Sequence, residues 1–314
     1  MNSWIRSLVM PVEGTAYAHR VDNLYLFLIY VCIFFFLLVT GLLAAFVIKY
    51  RRRSADDRTP QITHHRGLEV AWTVVPLALV MLIFFWGLRT FVQAAVAPAD
   101  AEEIHVTARQ WMWQFEYPNG VRAINELHVP LDKPVKLIMT SEDVIHGFYV
   151  PTFRLKQDVL PDAYTQIWFT ATDPGVHILE CTQYCGKGHS QMLGKIYVDD
   201  PASYRKWLAT GGEAGKGVPP VQWGRTIYET RGCATCHSID GTPGQGPSFK
   251  GVFGHPVALV GGRSMIADEN YIRTCILTPD KNRVAGFPPI MPTFQGILNN
   301  RDIDGVIAFI KSLE

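Results

Sequence analysis

Excess charge of either sign is missing from this chain: 29 Lys and Arg against 28 Asp and Glu leave +1 over 314 residues. Without a domain-wide basic excess to neutralise phosphates, the composition argues against nucleic-acid binding. Cysteine is scarce as well. Six cysteines are too few for a disulfide scaffold; four fall in two motifs, which leaves Cys32 and Cys275 as small buried apolar residues. A signal-peptide core is also lacking, because the first apolar patch stops at Pro11 and is too short. Residues 1–20 are therefore expected to form an exposed lead-in.

What the chain does have is length and apolar content, 48% hydrophobic, enough for two or three modules. Leu24 to Ile48 is almost wholly apolar, about the length that crosses a hydrocarbon core. A second run from Val70 to Phe91 contains Pro76, tolerated in a membrane helix as a kink. Between the runs lie Lys49, Arg51, Arg52, Arg53, Arg58 and Arg66 against Asp56 and Asp57. The positive-inside bias makes that loop cytoplasmic and puts everything after the second span outside. A buried hairpin of a soluble protein would need a large apolar partner. His64 and His65 read as solvated loop residues.

Beyond Pro98, residues 102–117 alternate as a strand dense in aromatics, and a Pro-Asn-Gly turn at 118–120 follows. Trp111, Trp113, Phe115 and Tyr117 fall at period two, so one face of that strand packs on a core or an interface. Further short β-type runs, punctuated by Pro, Gly and Asp, imply a β-sandwich or barrel. Residues 201–208 read as a closing helix. Residues 209–220, rich in Gly and Pro with no apolar period, read as a flexible linker.

Two motifs carry chemistry. In CTQYCGKGHSQM, residues 181–192, Cys181, Cys185, His189 and Met192 set two thiols, an imidazole and a thioether on one loop. Such soft donors favour copper over magnesium, calcium or manganese. Two thiolates can bridge two copper ions, and each ion then needs its own imidazole; His146 is the upstream candidate. The cysteines alone also admit a disulfide, a zinc site or a thioredoxin-like copper chaperone. A thioether is a poor zinc ligand, and a chaperone does not need His189 and Met192 on the loop.

The second motif is GCATCHSIDG, residues 232–241. Cys233 and Cys236, followed at once by His237, form the attachment signal for c-type haem. A redox dithiol shares the spacing, but no βαβ pattern surrounds it. A downstream Met or His should supply the sixth ligand. Met291, in the Pro-braced FPPIMPTF, is similar to the Met loop of small cytochromes c, with Met265 as the alternative. GPSF, residues 246–249, resembles the segment whose carbonyl, here that of Pro247, receives the haem histidine's proton. Helical periods at 223–231, 268–277 and 301–313 complete a small all-α domain.

The copper loop resembles that of cytochrome c oxidase subunit II, with His146, Cys181, Cys185, His189 and Met192 on that family's ligand positions. The family's loop reads Cys-x-Glu-x-Cys, and Gln183 stands in place of the Glu. The resemblance implies that the Gln183 backbone carbonyl is a copper ligand. It leaves magnesium at the boundary with subunit I without its usual carboxylate. GLEVAWTVVP, residues 67–76, is similar to the start of the family's second helix, where Glu69 matches an acid near the entrance of a proton pathway. An ordinary first-turn Glu favoured by the helix dipole is the alternative. Trp111 matches the residue through which that family receives electrons over the copper site.

Taken together, the resemblance implies a multidomain chain: residues 1–100 with a transmembrane α-hairpin, a cupredoxin-like all-β copper domain at 101–208, the linker at 209–220, and an all-α cytochrome c domain at 221–314. It implies the electron inlet of a proton-pumping cytochrome c oxidase in a bacterial inner membrane, with both redox domains on the periplasmic side. Cofactors would be dinuclear copper and haem c. Partners would be subunit I, where oxygen is reduced, the other oxidase subunits, and a donor: a soluble or membrane cytochrome c, or a quinol:cytochrome c reductase. On the tether, the haem domain could swing between donor and Trp111. Two rivals remain. A nitrous oxide reductase-like protein would carry a large upstream propeller, where this chain has a hairpin. A membrane-anchored copper chaperone or redox carrier would have no oxidase partner.

Overall fold

The computed structural model describes residues 10–58, 62–210 and 217–314. Half of the expected linker, residues 211–216, and the first nine residues of the lead-in lie outside the described residues. Two compact units emerge among the described residues: Met10 with residues 16–96, and Pro11–Thr15 with residues 97–314.

The first unit is a helical hairpin. Helix α1 spans Ala16–Lys49 and α2 spans Arg66–Ala95. Both are long and apolar enough to cross a membrane, and each runs a few residues past the apolar stretch because polar residues at the ends continue the helical pattern. Arg20 donates to Gln93 at 2.6 Å and Phe27 meets Trp86 at 5.4 Å, which fixes the helices as antiparallel. Cys32 is exposed on α1 rather than buried.

The second unit begins with a β-sandwich of ten strands: β1 Glu102–Arg109, β2 Met112–Glu116, β3 Arg122–Ile124, β4 Glu126–Pro130, β5 Pro134–Ser141, β6 His146–Val150, β7 Leu155–Val159, β8 Thr165–Thr170, β9 Gly175–Cys181 and β10 Leu193–Asp199. They form two five-stranded sheets, ordered β3-β2-β1-β5-β8 and β4-β10-β9-β6-β7. Alternation writes the core. In β5, Pro134–Ser141, Val135, Leu137 and Met139 point inward, and β1, Glu102–Arg109, offers Ile104, Val106 and Ala108 from the parallel neighbouring strand. Trp113, Phe115, Phe148, Phe153 and Phe169 fill the space between the sheets and are fully buried.

Two expectations need correction. Residues 102–117 form not one strand but a tight antiparallel hairpin, β1 and then β2, Met112–Glu116, with Arg109 paired to Met112. Gln110 and Trp111 are therefore at the turn, where the period-two reading of the aromatics breaks: Trp113 and Phe115 face the core and Trp111 does not share their strand. The lead-in is not wholly exposed. Gly14 N–H donates to the Thr152 carbonyl and Thr15 bridges to Ala171, so residues 11–15 join the sandwich. A Cβ on Gly14 would sit 2.6 Å from the Phe153 ring, so only glycine allows that approach.

Helix α3, Pro201–Thr210, follows the sandwich where the closing helix is expected, and the part of the chain beyond the linker is helical. Helices α4, Pro220–Thr230, and α7, Asn300–Lys311, cross at Gly224 and Gly305. A short helix α5, Cys233–Cys236, and α6, Glu269–Leu277, complete the set, with a small hairpin of β11, Pro256–Ala258, and β12, Ser264–Ile266, added to the all-helical expectation. Asn299 and Asp302 form a reciprocal capping box at the start of α7. A Cβ on Gly224 would press on the Gly305 backbone and lie 2.8 Å from the Phe309 Cβ. Gly224→Ala is expected to force the helices apart and cost roughly 1–3 kcal/mol. A thermal melt followed at the haem absorbance should show this domain losing stability; an unchanged midpoint would refute the packing argument.

Candidate functional site

The copper loop connects β9, Gly175–Cys181, to β10, Leu193–Asp199, while His146 opens β6, His146–Val150. Three adjacent strands thus bring the ligands of the loop and the distant imidazole together. The donor atoms of His146, Cys181 and Cys185 all lie within 4.8 Å of one another. Cys181 and Cys185 Sγ are 3.8 Å apart; His189 Nδ1 is 3.4 Å and Met192 Sδ 3.9 Å from Cys185 Sγ. The Gln183 carbonyl lies 3.3 Å from Cys181 Sγ, with its side chain exposed. All six residues named from the sequence come together.

Orientation follows from hydrogen bonds. His146 is fully buried, and its Nε2 sits 2.8 Å from the Asp143 carboxylate. Since that carboxylate accepts, Nδ1 carries the free lone pair, and Nδ1 is the atom that faces Cys181 Sγ, at 4.0 Å. Asp143 also accepts from the Gln110 amide N–H at 2.7 Å. Asp143 escaped the sequence reading, although a carboxylate supporting a ligating histidine is a recurring need.

The two cysteine pairs differ electrostatically. Burial pushes the Cys233 thiol up to about 12 and the Cys236 thiol up to about 11. Burial also raises the Cys185 thiol, reinforced by the neighbouring Cys181, whereas the His146 ring and the Gly147 and Gln183 backbone hold the Cys181 thiol down against burial. The copper-loop pair thus splits in direction, while the Cys233–Cys236 pair is raised at both thiols.

That second pair borders a cavity lined by Cys233, Cys236, His237, Pro247, Phe249 and Met291. His237 Nδ1 lies 2.7 Å from the Pro247 carbonyl, which can only accept, so Nε2 is left as the free donor atom. Burial keeps this imidazole neutral by lowering its pKa. Phe249 stacks on the ring at 4.5 Å, and the Tyr228 hydroxyl holds the His237 carbonyl at 2.7 Å. A Cβ on Gly246 would sit 2.6 Å from the imidazole, so the chain must be bare there. Met265 is 40% exposed on β12 and does not line the cavity. Cys275 does line it and is only partly buried.

Trp111 stands between the two sites. Its indole N–H donates to the Cys185 carbonyl at 3.2 Å, its ring packs against Gly186 and Gly188 so closely that a Cβ at 188 would lie 2.6 Å from Cε3, and it also lines the haem cavity. Gln110 Nε2 donates to the same carbonyl at 2.7 Å. Glu69 belongs to the helical hairpin, where its carboxylate accepts from His65 N–H at 3.1 Å while His65 Nδ1 accepts from Leu68 N–H, a reciprocal cap at the start of α2.

Comparison with known proteins agrees along the chain. Residues 3–90 match the transmembrane domain of cytochrome c oxidase subunit II, residues 120–198 its periplasmic domain, and residues 221–314 cytochrome c. Cytochrome c oxidase subunit 2 of Alkalihalophilus pseudofirmus is 29% identical over 279 residues, spanning 85% of this chain and 79% of the relative. The Synechocystis sp. protein of the same name is 30% identical, spanning 66% and 76%. Among solved structures, the periplasmic domain of subunit II of cytochrome oxidase (CoxB) of Bradyrhizobium japonicum is 28% identical over 38% of this chain and 98% of that one, with a TM-score of 0.36.

Proposed function

The chain belongs to the cytochrome c oxidase subunit 2 family, and from that premise we propose how its residues divide the work of passing electrons into the oxidase. It is a membrane protein with two transmembrane helices, a periplasmic β-sandwich domain and a fused cytochrome c domain. It forms part of a haem-copper oxidase complex. The working boundaries we adopt are 1–100, 101–208, 209–220 and 221–314.

In the copper domain, Cys181, Cys185, His146, His189, Met192 and the Gln183 carbonyl would hold the copper pair. In the haem domain, Cys233 and Cys236 would anchor the haem, and His237 and Met291 would be its iron ligands. Bound there, dinuclear copper and haem c supply one-electron chemistry with little change in geometry. The protein's own part is to hold and shield. Asp143 fixes the His146 ring, Pro247 fixes His237, and burial of Cys181, Cys185 and Met192 keeps water out. Strand-borne ligands give the site rigid support.

The observation carrying the direction of flow is Trp111, which lines the haem cavity and is hydrogen-bonded to the copper loop. It supports transfer from the haem domain through Trp111 into the copper domain, then to subunit I for oxygen reduction and proton pumping. The donor we propose is a cytochrome c, soluble or membrane-bound, or a quinol:cytochrome c reductase. Purification of the complex from native membranes should yield two copper ions and one covalent haem per chain together with subunit I. One copper per chain, or the absence of an oxidase partner, would overturn the reading in favour of a chaperone or free redox carrier.

Two residues carry a second reading or a departure: Glu69 matches the family's pattern but also caps its helix, and Gln183 replaces the family's Glu. The helix-cap geometry of Glu69 supports an ordinary N-terminal cap as a second reading beside the proton-path entrance. Gln183 offers a hard cation no charge. Gln183→Glu is therefore expected to raise magnesium or manganese bound to the assembled complex, measured by metal analysis after buffer exchange; unchanged content would count against a weakened magnesium site.

A further inference from the structure

The hydrophobic core of the haem domain does not stop at its own boundary. Met112 and Ile124, from the outer end of the copper sandwich, are 5% and 0% exposed and belong to the same buried cluster as Ile227, Ile272, Leu298 and Ile307 of the haem domain. Across this contact, Arg231 Nη1 lies 2.9 Å from a Glu126 carboxylate oxygen and also donates to the Ile124 carbonyl at 3.2 Å. Both side chains of the ion pair are about four-fifths buried, at 18% and 19% exposure. The next residue is Gly232, with φ of +83°, and a Cβ there would come within 3.4 Å of Asn125 Nδ2 and 3.9 Å of the Met112 Cβ. The segment that carries the haem cysteines thus touches the copper domain directly, and Trp111 is left 5% exposed.

We propose that the face formed by Trp111, Met112, Ile124 and Glu126 is a docking surface reserved for this chain's own haem domain, latched by the Arg231–Glu126 ion pair, so that an external cytochrome cannot reach Trp111 and must deliver its electron to the haem domain. The proposal rests on the reading of the two domains as copper and haem carriers. Its physical basis is that each half of the contact is incomplete alone. Separation would return Met112 and Ile124 to water and break both the ion pair and the Arg231–Ile124 hydrogen bond, and removing one member of the pair while the contact stays closed would leave the other largely buried without its partner, which is costly. Because docking is intramolecular, a modest surface suffices to hold it. The latch sits one residue before the haem-attachment helix, so its register sets where the cavity meets the indole. A freely swinging haem domain would have no use for a shielded ion pair at that spot.

The test uses the assembled, cofactor-loaded oxidase carrying Arg231→Glu, Glu126→Gln, or the exchange Arg231→Glu with Glu126→Arg. Absorption and EPR spectra of the unaltered complex come first: if they lack a covalent haem or a copper pair, the functional reading fails before the latch is addressed. With those spectra in place, hydrogen exchange over residues 110–126 and the rate of electron equilibration between the two centres after photoreduction are measured. Each single variant is expected to speed exchange and shift the docked-to-undocked ratio by about tenfold or more, the usual scale for leaving one member of a buried charge pair alone. Equilibration should slow in parallel, and, starting from the fully oxidised complex, reduction of the copper by soluble cytochrome c should begin to precede reduction of the haem. The exchanged pair should recover protection. Single variants with unchanged exchange and unchanged equilibration would overturn the latch, as would an exchanged variant with normal spectra but no recovery relative to Arg231→Glu. If the exchanged variant does not assemble, Glu126→Gln decides alone, since it keeps shape while removing charge.

Discussion

Cys181→Ser or Cys185→Ser is expected to abolish the paired copper state outright, leaving at most one copper ion with the EPR spectrum of an isolated Cu(II). The argument starts from the 3.8 Å between the two sulfurs and from the imidazoles set outside them, His146 toward Cys181 and His189 toward Cys185. Two ions can share an electron evenly only if both sulfurs bridge them. A serine hydroxyl is hard and stays protonated, so it supplies neither the soft bridge nor the negative charge. Cys181 is also the thiol whose surroundings hold it down against burial, so its replacement removes the more acidic of the two sulfurs. The sandwich should survive either change, because its core is aromatic and aliphatic and lies between the sheets rather than in the loop. Circular dichroism and haem content serve as controls. A serine variant that keeps two copper ions sharing one electron would sink the assignment of bridging roles.

What could be read directly from residues was local. Cys-x-x-Cys-His announces its cofactor within five positions, and the copper loop packs four donors into twelve. The apolar spans announce themselves by length, and the strands of the sandwich by alternation, as in β5. The turn at Gln110 and Trp111 was hidden because the aromatic alternation runs straight through it; nothing in the composition of that stretch marks a reversal. Asp143 was hidden because a carboxylate three residues before a histidine is common, and only the fold places it on the outer ring nitrogen. The contact between the redox domains was hidden for a deeper reason. Met112, Ile124, Glu126 and Arg231 each read as an ordinary strand or helix residue, and their partnership spans more than a hundred positions. Composition at 209–220 suggested freedom between the domains, while the charges and apolar side chains that restrict it lie on either side of that stretch.

Met291→His is expected to lower the haem potential by on the order of a few hundred millivolts, within the ~0.8 V span over which axial ligands set haem potentials. Two methionines follow the attachment motif closely enough to be ligands, and the structure separates their surroundings. Met291 lines the cavity with His237, braced by Pro289 and Pro292, whereas Met265 is 40% exposed on the β11–β12 hairpin and is not among the residues lining that cavity. A thioether favours the reduced iron, an imidazole the oxidised one. With His at 291 the haem domain should still fold and attach haem, because Cys233, Cys236 and the Pro247 carbonyl are untouched. Its potential, however, should fall below what a cytochrome c donor can reach. Steady-state oxidation of that donor is then lost, while the copper spectrum is unchanged because every copper ligand lies between residues 146 and 192. Met265→Ala provides the contrast and should leave the potential where it was. A redox titration in which Met265→Ala shifts the potential and Met291→His does not would move the sixth ligand to the hairpin, and would require the haem domain to rearrange far enough to bury a residue now at its surface.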